Sequence, residues 1–136
     1  MAELNASFKP VTLKIGYEVL GSGENGNTGG GVGFKTPLAT LHLFQGWADK
    51  FLATPANGIE DAYVGISGKL GPVKVGAFYH DFKAESLDTQ YGTEFDMIAT
   101  WPVNKQLSLQ AKFADYQAKD FLTDTTKFWL TVQLKL

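Results

Sequence analysis

Seven stretches of two-residue alternation run through this chain, and the links between them alternate between very short and long. In a strand, residues i, i+2 and i+4 share one face and the residues between them share the other. Over 11–20, Val11, Leu13, Ile15, Tyr17 and Val19 are set against Thr12, Lys14, Gly16 and Glu18. The pattern recurs as Leu4/Ala6/Phe8, Ala62/Val64/Ile66, Val73/Val75/Ala77/Tyr79, Phe95/Met97/Ala99/Trp101/Val103, Leu107/Leu109/Ala111/Phe113 and Phe128/Leu130/Val132/Leu134/Leu136. The short links are Lys9-Pro10, Leu70-Gly71-Pro72 and Pro102-Val103-Asn104-Lys105-Gln106; the long ones are 21–58, 83–93 and 117–126. Tight turns join antiparallel neighbours, because parallel strands need a crossover of a dozen or more residues. An all-β, antiparallel up-and-down arrangement of about seven or eight strands follows.

Length and charge narrow the field. The 136 residues make room for one domain, 1–136. A formal charge of −2 points to no nucleic-acid partner, and the lack of cysteine excludes a disulfide scaffold or a thiolate metal site. No apolar run reaches the roughly 18–20 residues of a membrane-crossing helix. The opening Met1-Ala2-Glu3-Leu4-Asn5 is no signal peptide, so an exported protein would be present here as a mature form or a fragment.

One greasy and one polar face per strand suits a transmembrane β-barrel, with strands of about ten residues, tight periplasmic turns and longer outer loops. It also suits a soluble lipocalin-like barrel turned inside out, with a small ligand inside. Three features favour the bacterial outer membrane. Charges of both signs gather on the polar faces, as a wet lumen tolerates. The aromatics Phe8, Tyr17, Tyr79, Phe95, Trp101 and Phe128 sit on the apolar faces near strand ends, where an interfacial girdle lies. The loop asymmetry is strong. The lipid bilayer is then the first partner, and the terminal strand 128–136 resembles the signal read by the outer-membrane assembly machinery, with Leu136 where Phe is usual.

Counting tight turns as periplasmic gives seven strands, with the two ends on opposite sides. Bacterial single-chain barrels have an even count, so further strands or another copy of the chain would be needed for closure. The expectation is a whole barrel domain or the C-terminal portion of a larger one. A small non-conducting membrane barrel, serving as anchor or scaffold, is the alternative within the same fold.

In the phase set by the alternation, Lys14, Glu18, Asp61, Lys69, Lys74, Glu94, Asp96, Lys112, Lys127 and Lys135 face inward as pore-lining candidates. Lysines toward the short turns and acids toward the long loops predict a mildly anion-selective inner section. In the 21–58 connection, the Gly-rich stretch 21–31 carries one acid, Glu24, too few for a calcium loop. The following 33–51 is too apolar to dangle in water. It is expected to enter the lumen, cover the mouth or meet a neighbour, with His42, Trp47, Asp49 and Lys50 as constriction candidates. His42 and His80 are the only histidines, and no nucleophile, base and orienting group share a usable spacing. The expectation is no enzyme, no cofactor and no metal.

The segments Tyr17-Glu18-Val19-Leu20-Gly21, Phe34-Lys35-Thr36-Pro37-Leu38-Ala39-Thr40-Leu41-His42, Gly46-Trp47-Ala48-Asp49-Lys50-Phe51, Thr54-Pro55 and Gly58-Ile59-Glu60-Asp61 follow one another in a specific order. With Tyr79-His80-Asp81-Phe82, Tyr91-Gly92-Thr93-Glu94 and Phe113-Ala114-Asp115-Tyr116, they resemble the C-terminal region of the alginate-export family of outer-membrane porins. The resemblance spans nearly the whole chain. It implies a porin architecture in a chain longer than this one, and passive passage of a small or anionic solute. The members that give the family its name carry a polyanionic polysaccharide through an arginine-rich lumen, whereas every basic residue here is lysine.

Overall fold

The computed structural model describes residues 1–23 and 45–135. Its strands are β1 (Ala2–Phe8), β2 (Val11–Leu20), β3 (Ile59–Leu70), β4 (Val73–Lys83), β5 (Gln90–Pro102), β6 (Leu107–Ala118) and β7 (Thr125–Leu134). They form one sheet in sequence order, each antiparallel to the next, and the sheet is not closed: β1 and β7 are its edges. The expected all-β meander is therefore present as an open sheet of seven strands.

Register preserves the alternation from strand to strand. Leu13, Ile66, Ala77, Met97, Phe113 and Phe128 lie side by side across six strands, and Ile15, Val64, Tyr79 and Phe95 form the neighbouring row. A third row runs through Val11, Val75, Ala99, Ala111 and Leu130. This apolar face is bare: Ile15 is 58% exposed, Val64 53%, Phe128 67% and Leu130 69%. All six aromatics expected to form a girdle stand on it, each exposed. Toward the long links the same face turns polar through Asp81, Thr93 and Gln117.

Two long links are shorter than expected. The 83–93 connection contracts to 84–89, and 117–126 to 119–124. The cause lies on the polar face, which becomes aromatic at its long-link end through Phe82 and Tyr116, so alternation fades while the backbone ladder continues. There the register between β4 and β5 slips at Phe82/Lys83. This bulge places Tyr91 and Gly92 together in the interior. Gly92 has φ +138°, and a Cβ there would lie 2.2 Å from the Gln117 carbonyl oxygen. Gly92→Ala is expected to cost about 1–3 kcal/mol, read as a lower urea midpoint for the chain in detergent micelles.

The core sits on the polar face beneath the end of the first long link. Ala48, Phe51, Ile59, Phe82, Ala84, Tyr91, Ala114 and Tyr116 are all buried there. Phe51 is its centre, with ring centroids 4.7 Å from Phe82, 5.7 Å from Tyr91 and 5.9 Å from Tyr116. Tyr116 Oη donates to the carbonyls of Tyr91 at 2.5 Å and Phe121 at 3.2 Å, tying the 119–124 link down; Tyr91 Oη donates to the Gly58 carbonyl at 3.0 Å. The tight 103–106 turn is held by Asn104, whose Oδ1 accepts the amides of Gln106 and Leu107, each at 2.8 Å.

Candidate functional site

Pairing across the sheet brings the polar-face residues into two adjoining rows. Gly16, Tyr63, His80, Glu94 and Tyr116 make one; Lys14, Gly65, Phe78, Asp96, Ala114 and Lys127 make the other. Glu94 and Asp96 are fully buried, and Asp61 and His80 nearly so. Buried carboxylates need donors, since leaving them bare costs several kcal/mol.

Those donors come from the 45–51 segment, which lies on the polar face. Glu94 Oε1 accepts the backbone amides of Trp47 at 2.5 Å and Ala48 at 2.6 Å, and the Trp47 amide also reaches Asp96 Oδ2 at 3.2 Å. Gln45, Gly46 and Asp49 all have positive φ, near 59°, 78° and 59°. A left-handed residue next to one of ordinary handedness lets neighbouring amides converge on an anion, as in backbone nests, and Gly46 stands so before Trp47. Gly46 has a second reason to be glycine: a Cβ there would lie 2.6 Å from the Glu94 carboxyl. Side chains complete the attachment. Asp49 Oδ2 meets Lys127 Nζ at 3.0 Å, Lys50 Nζ donates to Thr125 Oγ1 at 2.8 Å, and Lys112 Nζ lies 4.4 Å from the Trp47 ring centroid and 5.4 Å from that of Trp129.

Asp61 accepts from or donates to His80 Nδ1 at 2.9 Å according to tautomer and protonation, while His80 Nε2 stands 3.8 Å from Asp96 Oδ2. The imidazole is stacked between Tyr63 and Phe82, at 5.2 and 5.5 Å. At the edge of the sheet Glu3 accepts from Tyr63 Oη at 2.6 Å and pairs with Lys14 at 3.2 Å. Outside the strands, Glu85 accepts the Ser22 amide at 3.1 Å and its hydroxyl at 2.9 Å, bonds that hold its carboxyl below the usual carboxylate range.

The inward set deduced from alternation thus shares one face, but it does not act as one group. Glu18, Asp61, Glu94 and Asp96 gather toward the long links, where the segment covers them. Lys69 and Lys74 are cross-strand partners at the opposite end, and Lys135, just beyond β7, bonds through its amide to the Gln106 carbonyl at 2.8 Å. Lys127 lies with the acids rather than at the short-turn end, and Asp49 engages it. Of the constriction candidates, Trp47, Asp49 and Lys50 stand on the polar face; His42, with all of 24–44, lies outside the described residues, as does Leu136. Alternation did not single out the aromatics Tyr63, Phe78 and Trp129, although each falls in the inward phase. Among the described residues no three His, Cys, Asp or Glu side chains are arranged to hold a metal ion. Comparison of the chain with family models, with curated proteins and with solved structures returned no match.

Proposed function

We propose that this sheet is part of the wall of an outer-membrane, porin-like β-barrel that passes a small or anionic solute, of the alginate-export type that the sequence resembles. The observation that carries the reading is the exposed apolar face. From Phe95 to Val103 along β5 and its following residue, eight steps of about 3.4 Å extend about 27 Å. At a strand tilt of about 40° this projects to about 21 Å, close to the ~25 Å apolar band of such barrels. So wide a bare apolar surface is costly in water and normal against lipid. The covered polar face supports the same reading, since a loop folded onto it would narrow a lumen.

Strand direction bears on closure. β1 and β7 run the same way, both from the long-link end to the short-turn end. A second copy inserted in the same orientation would meet each edge in parallel. Antiparallel closure needs an odd number of further strands, and an unpaired edge in hydrocarbon costs several kcal/mol per group. Lys69, Lys74 and Lys135 would then make the short-turn section favour anions.

Closed by further strands and folded into detergent micelles, the barrel is expected to migrate differently in SDS before and after boiling, and in a planar bilayer to give a reversal potential favouring anions, whereas this chain alone is expected to show no heat-dependent shift. Solubility as a monodisperse species without detergent would overturn the membrane assignment. A heat-dependent shift without conductance would favour the non-conducting scaffold, a reading supported by the space that 45–51 occupies over the polar face.

A further inference from the structure

The acidic end of the polar face contains a cavity of about 320 Å³ beside β1 to β4, under the Gln45–Trp47 turn. Taking about 30 Å³ as the share of one water, it has room for roughly ten heavy atoms. Its walls combine the carboxylates Glu3, Glu18 and Asp61 with the rings of Trp47, Tyr63 and Phe78. We propose that this cavity binds the ammonium group of a small organic cation.

Charge is the first argument. The three carboxylates face two amines, Lys14 Nζ and that of Met1, so carboxylates outnumber amines in the lining. Lys14 is committed to Glu3. Among the described residues Glu18 receives a long bond, 3.3 Å, from Gln45 Nε2. The second argument is a surplus of acceptors. Gln45 lines the cavity and is 2% exposed, yet among the described residues its Oε1 has no hydrogen-bond partner. Buried acceptors without donors are destabilising. A guest with N–H donors would supply the bond that Gln45 Oε1 lacks, whereas an anion would add another acceptor beside it. The third argument is the walls: ring faces attract cations by about 0.5–2 kcal/mol, and Trp47 and Phe78 hold each other edge to face at 5.7 Å. Carboxylates with aromatic walls recognise ammonium ions.

The site goes beyond passage through a barrel and is tested without transport. The full chain in dodecyl maltoside micelles would be titrated with n-butylammonium, n-butanol and butyrate, with binding followed by saturation-transfer NMR. Saturable butylammonium binding is expected, with butanol weaker and butyrate not competing. Glu18→Gln, with its strand content checked by circular dichroism, should weaken butylammonium about tenfold, while Asp115→Asn, a change of equal charge on the other face, should leave it unchanged. Butyrate binding as well as butylammonium on the unaltered chain would overturn the proposal, and so would equal weakening by the two substitutions. Lack of conductance would leave it standing.

Discussion

Phe51→Ala is expected to release the 45–51 segment from the sheet while the seven strands stay paired. Phe51 is 1% exposed and touches Phe82, Tyr91 and Tyr116, three residues from three different strands. Emptying such a site costs about 3–5 kcal/mol. The strand ladders do not depend on that ring, because each is closed by backbone bonds between neighbours. The contacts that remain on the segment include the Trp47 and Ala48 amides on Glu94 and Asp96, the Trp47 ring against Phe78 and Lys112, the Gln45 bond to Glu18, the Lys127–Asp49 ion pair and the Lys50 bond to Thr125. The last two are partly exposed and contribute little each. Limited proteolysis should therefore cut within 45–58 in the variant and spare that stretch in the unaltered chain, with circular dichroism unchanged. If the segment narrows a pore, unit conductance should rise as well. An unchanged cleavage pattern would show that the polar contacts and the Trp47 ring hold the segment without Phe51.

The division of labour in that segment explains what could be read from the residues and what could not. Alternation places Glu94 and Asp96 on the inward face, because it depends only on the pleat of a strand. It carries no information about which distant amide meets them, since the clasp by Trp47 and Ala48 spans more than forty positions of sequence. The apolar character of 33–51 does signal that part of the first long link cannot stay in water, and for 45–51 the polar face is where it goes. A finer signal was present in Gly46, the one residue type that combines a positive φ with room for the Glu94 carboxyl. The strand ends were misread for the opposite reason. Alternation marks a strand only while each face keeps its character, and where the core forms Phe82 and Tyr116 make the polar face apolar while Asp81, Thr93 and Gln117 make the other face polar. Tyr91 looked like loop because the bulge moves it out of phase with its own strand. Closure is a property of the two edges, and no pattern internal to a strand encodes it.

The apolar face gives the sharpest separation between a sheet that meets lipid and one that meets water. Met97 sits in the middle of that face, 44% exposed, between Ala77 and Phe113. Met97→Lys keeps the length of the side chain and changes mainly its hydration. In water the new ammonium would extend past its neighbours, and a surface substitution of this kind stays within about 0.5 kcal/mol. At the midplane of a bilayer the same lysine costs about 2–4 kcal/mol. Thr93 is the control: it lies on the same face and the same strand, in the polar row with Asp81 and Gln117, so Thr93→Lys falls near the interface, where the cost drops to about 0–1 kcal/mol. Urea unfolding of the chain in lipid vesicles should therefore show a large loss for Met97→Lys and almost none for Thr93→Lys. Equal, small effects would mean that the face is not buried in hydrocarbon, and the membrane reading would fall with them. The depth dependence matters more than either value. Added positive charge acts alike at both positions, and the strand propensity lost is greater at Thr93 than at Met97, so a larger loss at Met97 points to a hydrocarbon layer that ends between the two.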